Sequence, residues 1–274
     1  MSFRHLLACG AVLAVLFGPI PNAADAAERV RIGGTGVALA SMSAAGEKLA
    51  ARTPPLAVEV LPSLGTPGGV RALIDGKIDI ALLARPLLAE EAAKGAREMR
   101  CLVTPLVFAT THATATGLSR ATLAAAYAEI APKWDDGTPL KIVLRSKSSS
   151  EVPFLFKAFP ELEAPIQAAH KRPGMPIGAT DQDNAEIAEK TEGALAIITL
   201  MQIRSERRRL RALAIEGVVP DADTVENRLY PLGFRVCLAQ LAEGSPAAAQ
   251  FIAYLDSAPG RSLMRSLGAV SYDR

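Results

Sequence analysis

The chain has 274 residues, half of them hydrophobic, with 30 basic and 28 acidic side chains and a formal net charge of +2. That length suffices for one large core or two modest ones, and the near-neutral balance gives no sign of a nucleic-acid partner. The one dense basic cluster, RSERRRLR from Arg204 to Arg211, reads as a solvated turn leading into a strand.

The first element in chain order is a leader. Arg4 and His5 precede an apolar stretch, Leu6 to Phe17, that is too short to cross a bilayer. Pro19 and Pro21 break it, and Ala24-Asp25-Ala26 puts small residues where a signal peptidase reads. A signal peptide over residues 1–26, cleavage after Ala26 and a periplasmic destination are therefore expected. The run LLAC, Leu6 to Cys9, comes before the apolar stretch rather than after it, so lipidation is not expected.

The next segments alternate. RVRIGG reads as a strand, and VALASMSAAGEKLAA as a helix with Met42, Ala45 and Leu49 on one stripe. LAVEVLP is a strand, PGGVRALIDG a short helix burying Val70, Leu73 and Ile74, and IDIALLA a third strand. This β-α-β-α-β order predicts a parallel sheet with covering helices. CLVTPLVFATTH then reads as a long strand interrupted by Pro105. Ser119 caps a helix carrying Leu123, Tyr127 and Ile130. PLKIVLR is a strand, SSSEVPFLFKAF and NAEIAEKTEG are helices, and ALAIITL and LRALAI are strands. LYPLGFRVCLAQ is a second long strand bearing a proline, and two helices close the chain. Two such long strands suit a chain that leaves its first unit once and returns once. The expected division is 27–110 plus 234–274 as one domain and 111–233 as the other.

Three turns share one design. GGTGVA, SLGTPGG and LRSKSSSE each follow a strand and open a helix. Amides at such helix starts, aided by the dipole, favour a negatively charged ligand, and open α/β sheets bind at strand C-termini. Glycines such as Gly36 and Gly68 permit close approach. The hydroxyls of Thr35, Thr66, Ser148, Ser149 and Ser150 add donors, and Arg145 can grip an oxyanion with a charge-assisted fork. Rival chemistries lack their parts. Leu39 stands where a dinucleotide fingerprint needs its third glycine, and no phosphate-binding P-loop or nucleophile elbow occurs. His112 and His170 lack metal-ligand spacing. TDQDN, Thr180 to Asn184, lacks the glycine and distal glutamate of a calcium loop and reads as a polar loop and helix cap. No cofactor, metal or catalytic constellation is expected.

The order of these motifs resembles the phosphate-binding periplasmic proteins of ABC transporters, within the type II periplasmic binding protein superfamily. The resemblance rests on RIGGTGVALASM, SLGTPGGVRALIDGKIDIALLARPL, VLRSKSSSEVPFLF, EGALAIITL and LYPLGFRVCL, and so covers nearly the whole mature chain. It implies an α/β fold of two domains, each a mixed sheet flanked by helices, joined by two hinge strands and closing on an oxyanion. It implies ligand donors at Thr66, Arg145 and Ser149. Three positions depart from the family pattern: Ala38 and Leu39 in the first turn, Ala84 where an acidic or hydroxyl acceptor is common, and Ser150-Glu151 in place of Gly-Thr.

The function this implies is capture of a small oxyanion, phosphate first, by a monomeric receptor serving an ABC permease. A binding or sensor protein without a transport role, holding another anion, stays open beside it; a hydrolase would need a constellation the chain lacks. Cys101 and Cys237 remain after the leader's Cys9 is removed. An oxidising compartment lets them pair, although two separate buried thiols fit the sequence as well. Both sit on the proposed crossover strands, and a disulfide at the hinge is the hypothesis this placement offers.

Overall fold

A computed structural model of the protein describes residues 28–53 and 56–272, so the expected signal peptide lies outside the described residues. The first part runs β1 (Glu28–Gly34), α1 (Leu39–Ala50), β2 (Leu56–Val60), α2 (Gly65–Ile74), β3 (Ile80–Leu83), α3 (Ala89–Ala93) and β4 (Ala96–Thr110). The middle runs β5 (Gly117–Leu118), α4 (Arg120–Ala128), β6 (Lys141–Arg145), α5 (Glu151–Ala158), α6 (Glu163–Ala169), β7 (Ile177–Gly178), α7 (Asp181–Lys190), β8 (Ala194–Thr199), α8 (Leu200–Ser205), β9 (Arg211–Ala212), β10 (Ala214–Ile215) and α9 (Ala222–Glu226). The chain closes with β11 (Gly233–Leu241), α10 (Pro246–Asp256), α11 (Ala258–Ser266) and β12 (Val270–Ser271).

One mixed sheet carries the structure, in the order β2-β1-β3-β11-β4-β8-β6-β7, with β9 and β12 also on β4. β1 pairs parallel with β2 and β3, and β6 pairs parallel with β7 and β8. Between these two parallel sets lie the antiparallel strands β11 and β4. The side chains explain the layers. Met42, Ala45 and Leu49 on α1 are buried against Val30 and Ile32 of β1 in one large core. β8 is buried along its whole length, as expected of a strand covered on both faces. Val70 and Leu73 of α2 join a smaller cluster with Ile78, Leu83 and Cys237.

The long strand is continuous through Pro105, not interrupted by it. β4 pairs with β11 as far as Pro105, opposite Gly233, and with β8 from Leu106 to Thr110. The Cys101 carbonyl accepts from the Tyr272 amide, so odd positions of β4 face the β12 side. Pro105 faces the same side, at the gap between the last residue paired with β12, Val103, and the first paired with β8, Leu106. No ladder donor is lost, which is why a proline is tolerated there. On that edge of β4 the neighbour thus changes from β12 to β8 around Pro105.

Cys101 and Cys237 lie directly opposite on β4 and β11, with Cα atoms 4.0 Å apart, and are joined by a disulfide. Because the Cys101 carbonyl points away from β11, this is a non-hydrogen-bonded pair, the kind that brings facing side chains closest. Two other expectations are corrected. Ile130 lies beyond the end of α4 and is 91% exposed, so it is not part of the apolar stripe of Leu123 and Tyr127. LRALAI is not one strand but two short ones, β9 on β4 and β10 on β5.

Candidate functional site

Four strand-to-helix turns converge at the C-terminal ends of the parallel strands. They are β1 to α1, β2 to α2, β6 to α5, and β7 to α7. Together they enclose a cavity of about 370 Å³ lined by Thr35, Thr66, Gly68, Arg145, Ser148, Ser149 and Ser150, all of them singled out in the sequence. Gly36 was expected there too but does not line the cavity. Its backbone bonds instead to α7: its amide donates to the Asp181 carboxylate, and its carbonyl accepts from Gln182 Nε2 at 3.0 Å. A Cβ on Gly36 would lie 2.5 Å from both Asp181 Oδ2 and Gln182 Oε1, so this contact needs glycine.

Each turn has a local cause. Gly34 adopts φ +138°, and a Cβ there would meet the Leu82 carbonyl at 2.3 Å, so β1 ends against β3 on a residue only glycine can supply. The Leu64 amide bonds to the Gly34 carbonyl, anchoring the start of α2 beside the end of β1. Helix geometry leaves the first amides of α2 without intrahelical partners. Thr66 is buried, and its hydroxyl oxygen accepts from the Ala84 amide at 2.9 Å, which leaves its hydrogen to donate. Ala84 therefore acts through its backbone at a position where the resembled family often has a polar side chain. Ser149 Oγ is buried and has no hydrogen-bond partner, and Ser148 Oγ sits 2.9 Å from Ser146 Oγ.

Arg145 ends β6 and is 5% exposed. Its Nη1 donates to the Thr180 carbonyl and its Nη2 to Asp181 Oδ1, both at 2.7 Å, with Glu151 Oε1 at 3.5 Å from Nη2. Glu151 and Asp181 are both buried. One guanidinium thus faces two carboxyls in a poorly solvated place. Burial pushes the Asp181 carboxyl up to about 8, and the like charge of Glu151 adds to that. Arg145 opposes the shift, a hydrogen bond to Glu151 reinforces it, and the Gly36 amide opposes it. At neutral pH the Asp181 carboxyl therefore keeps its proton.

Asp181 is the residue sequence reading missed. It belongs to TDQDN, which does cap a helix: Thr180 Oγ1 accepts from the Asp183 amide and the Asp183 carboxylate accepts from the Thr180 amide. The same turn also delivers Asp181 to Arg145. β7 is only two residues long, too short to mark a strand by pattern, and this hid the fourth turn.

The residues at the cavity have the means to bind an anion. They offer hydroxyls, helix-start amides and a buried guanidinium, held opposite two acids. His112 does not contribute. It stacks on Trp134 at 4.9 Å elsewhere, and its Nδ1 accepts the Ala115 amide.

A family profile described as the PBP superfamily domain, for periplasmic binding proteins, matches residues 21–258. The chain belongs to the PBP superfamily. Its mixed sheet flanked by helices is that of type II members. A structure from Clostridium perfringens described as a phosphate ABC transporter substrate-binding protein with bound phosphate aligns at 16% identity and TM-score 0.74, covering 90% of this chain and 100% of that one. A Vibrio cholerae ABC-type phosphate transport receptor aligns at 18% identity and TM-score 0.59, covering 88% and 99%. The PEB3 protein with bound L-phospholactate aligns at 13% identity and TM-score 0.54, covering 89% and 100%. These likenesses extend to the PBP fold. A search of curated proteins returns no match.

Proposed function

We propose that the protein is an exported, periplasmic solute-binding protein that captures a small oxyanion, phosphate first among candidates, and passes it to an ABC permease as a monomer. In this reading the cleft lies between two domains, 27–110 plus 234–274 and 111–233. The observation that carries the reading is the convergence of Thr35, Thr66, Ser149 and the buried Arg145 on one cavity at strand C-termini. Hydroxyl and amide donors around a guanidinium suit the oxygens of an oxyanion, and the phosphate-bound C. perfringens structure supports phosphate as the first to test.

A second reading draws on the acids. Glu151 and Asp181 already occupy one edge of Arg145, which favours an anion other than free phosphate, held by a binding or sensor protein without a permease. A thermal-shift screen of phosphate, sulfate, molybdate, phosphonates and small carboxylates tests both readings. A ligand at a hundred times its Kd should stabilise by about 2.7 kcal/mol. If no anion shifts the unfolding midpoint, the oxyanion reading is lost. Transport is tested separately, by uptake of the hit in cells with and without this protein.

A further inference from the structure

We propose that the ligand is an organic phosphate or phosphonate whose short carbon body packs on Leu64, rather than the bare inorganic anion. The inference rests on the oxyanion reading of the Arg145 cavity and narrows it. Its first support is size. The two sides of the cleft already touch, through Asp181 and Gln182 on the Gly36 backbone, yet the cavity beside that contact still measures about 370 Å³. A tetrahedral oxyanion has five heavy atoms and needs the space of two to three waters, on the order of 60–90 Å³. Cavities of about 300 Å³ and above are those of small organic ligands.

The second support is chemistry. The donors at the cavity belong to Thr35, Thr66, Arg145 and the serine turn, whereas Leu64 and Pro67 line it with apolar surface that both leave exposed. Leu64 is 41% exposed although it lies in a turn pinned by its own amide to the Gly34 carbonyl. Its isobutyl group has nothing to offer a naked oxyanion. A carbon body attached to the anion would cover it, and each buried methylene contributes roughly a fourfold gain in affinity.

The test is calorimetric titration of the mature protein with inorganic phosphate, methylphosphonate and propylphosphonate, on the wild type, Leu64→Ala and Arg145→Ala. The expected result is an affinity that rises about fourfold per methylene from methyl to propyl, with propylphosphonate tighter than inorganic phosphate. Leu64→Ala should flatten that series while leaving phosphate within about twofold, and Arg145→Ala should weaken all three. Phosphate binding as tightly as propylphosphonate, with Arg145→Ala still weakening it, would overturn the organic ligand and keep the oxyanion site. A Leu64→Ala loss equal for all three would also overturn the role given to Leu64. No binding by any of the three would overturn the underlying reading as well.

Discussion

Asp181→Asn should change how stability depends on pH. An asparagine keeps the shape of the protonated carboxyl and removes its titration. In the folded protein Asp181 is pushed up to about 8 from the ordinary 3.8, first by burial and then by Glu151. Between those two values the folded chain keeps a proton that the unfolded chain has released. The unfolded state therefore binds one proton fewer, and stability falls as pH rises, by about 1.4 kcal/mol per pH unit at full effect. The stabilising contribution is complete below the unfolded value and is lost as pH passes the folded one. Across the interval from 3.8 to about 8 the ceiling is about 6 kcal/mol. Both carboxyls are nearly inaccessible, at 7% and 4% exposure, so water screens little of this. Urea unfolding of wild type and variant at pH 5, 6, 7, 8 and 9, with the disulfide intact, reads it directly. The variant should gain on the wild type by at least about 2 kcal/mol between pH 5 and pH 8, and the gain should level off above pH 8. Glu151→Gln removes the like charge and should shrink the slope. A constant offset at every pH would refute a proton retained on Asp181.

Arg145→Ala should weaken the anion found by screening more than tenfold, since loss of a buried charge-assisted partner costs about 2–5 kcal/mol. It should also destabilise the protein by about 3–5 kcal/mol at pH 9, because Asp181 and Glu151 lose their cation; calorimetry and urea unfolding measure the two effects. Gly36→Ala would place a Cβ 2.5 Å from Asp181 Oδ2 and push α7 off the first turn. Its affinity should fall with little change in the far-ultraviolet circular dichroism, and an unchanged Kd would remove the Gly36 contact from the binding mechanism. Replacing Cys101 and Cys237 together with alanine opens a link spanning 136 residues and should cost about 2–5 kcal/mol, read as a lower unfolding midpoint without reductant; a midpoint equal to wild type would show that the β4–β11 ladder alone holds this junction.

The readable parts of the sequence are those in which one physical rule dominates. β3 and β8 are apolar because they are covered along their whole length, and the stripe Met42, Ala45, Leu49 marks α1 because that face is buried. Ser119 and Ser245 announce helix starts because their side chains do accept the amides of Thr122 and Ala248. Elements made of two residues, β7, β9 and β10, carry too few side chains to show a period. Ile130 shows the opposite error, an apolar residue in helical spacing that falls past the last turn of α4 and gains no cover.

The site divides along the same line. Its donors were readable because glycine and hydroxyl residues at a strand-to-helix turn have a local reason to be there. Its acids were not, because their meaning is a matter of tertiary placement. Glu151 reads as an unfavourable neighbour for an anion, and TDQDN as a helix cap, and each description is correct locally. Only the pairing of β7 with β6, which sets Gly178 beside Arg145, brings Asp181 to the guanidinium and close to Glu151. The cluster then sets one guanidinium against two buried acids, and that burial keeps the Asp181 carboxyl protonated at neutral pH. The cavity thus gathers donors of fixed direction, the Thr66 hydroxyl, the unpartnered Ser149 hydroxyl and the helix-start amides, beside a guanidinium whose two terminal nitrogens already bond to the Thr180 carbonyl and the Asp181 carboxyl.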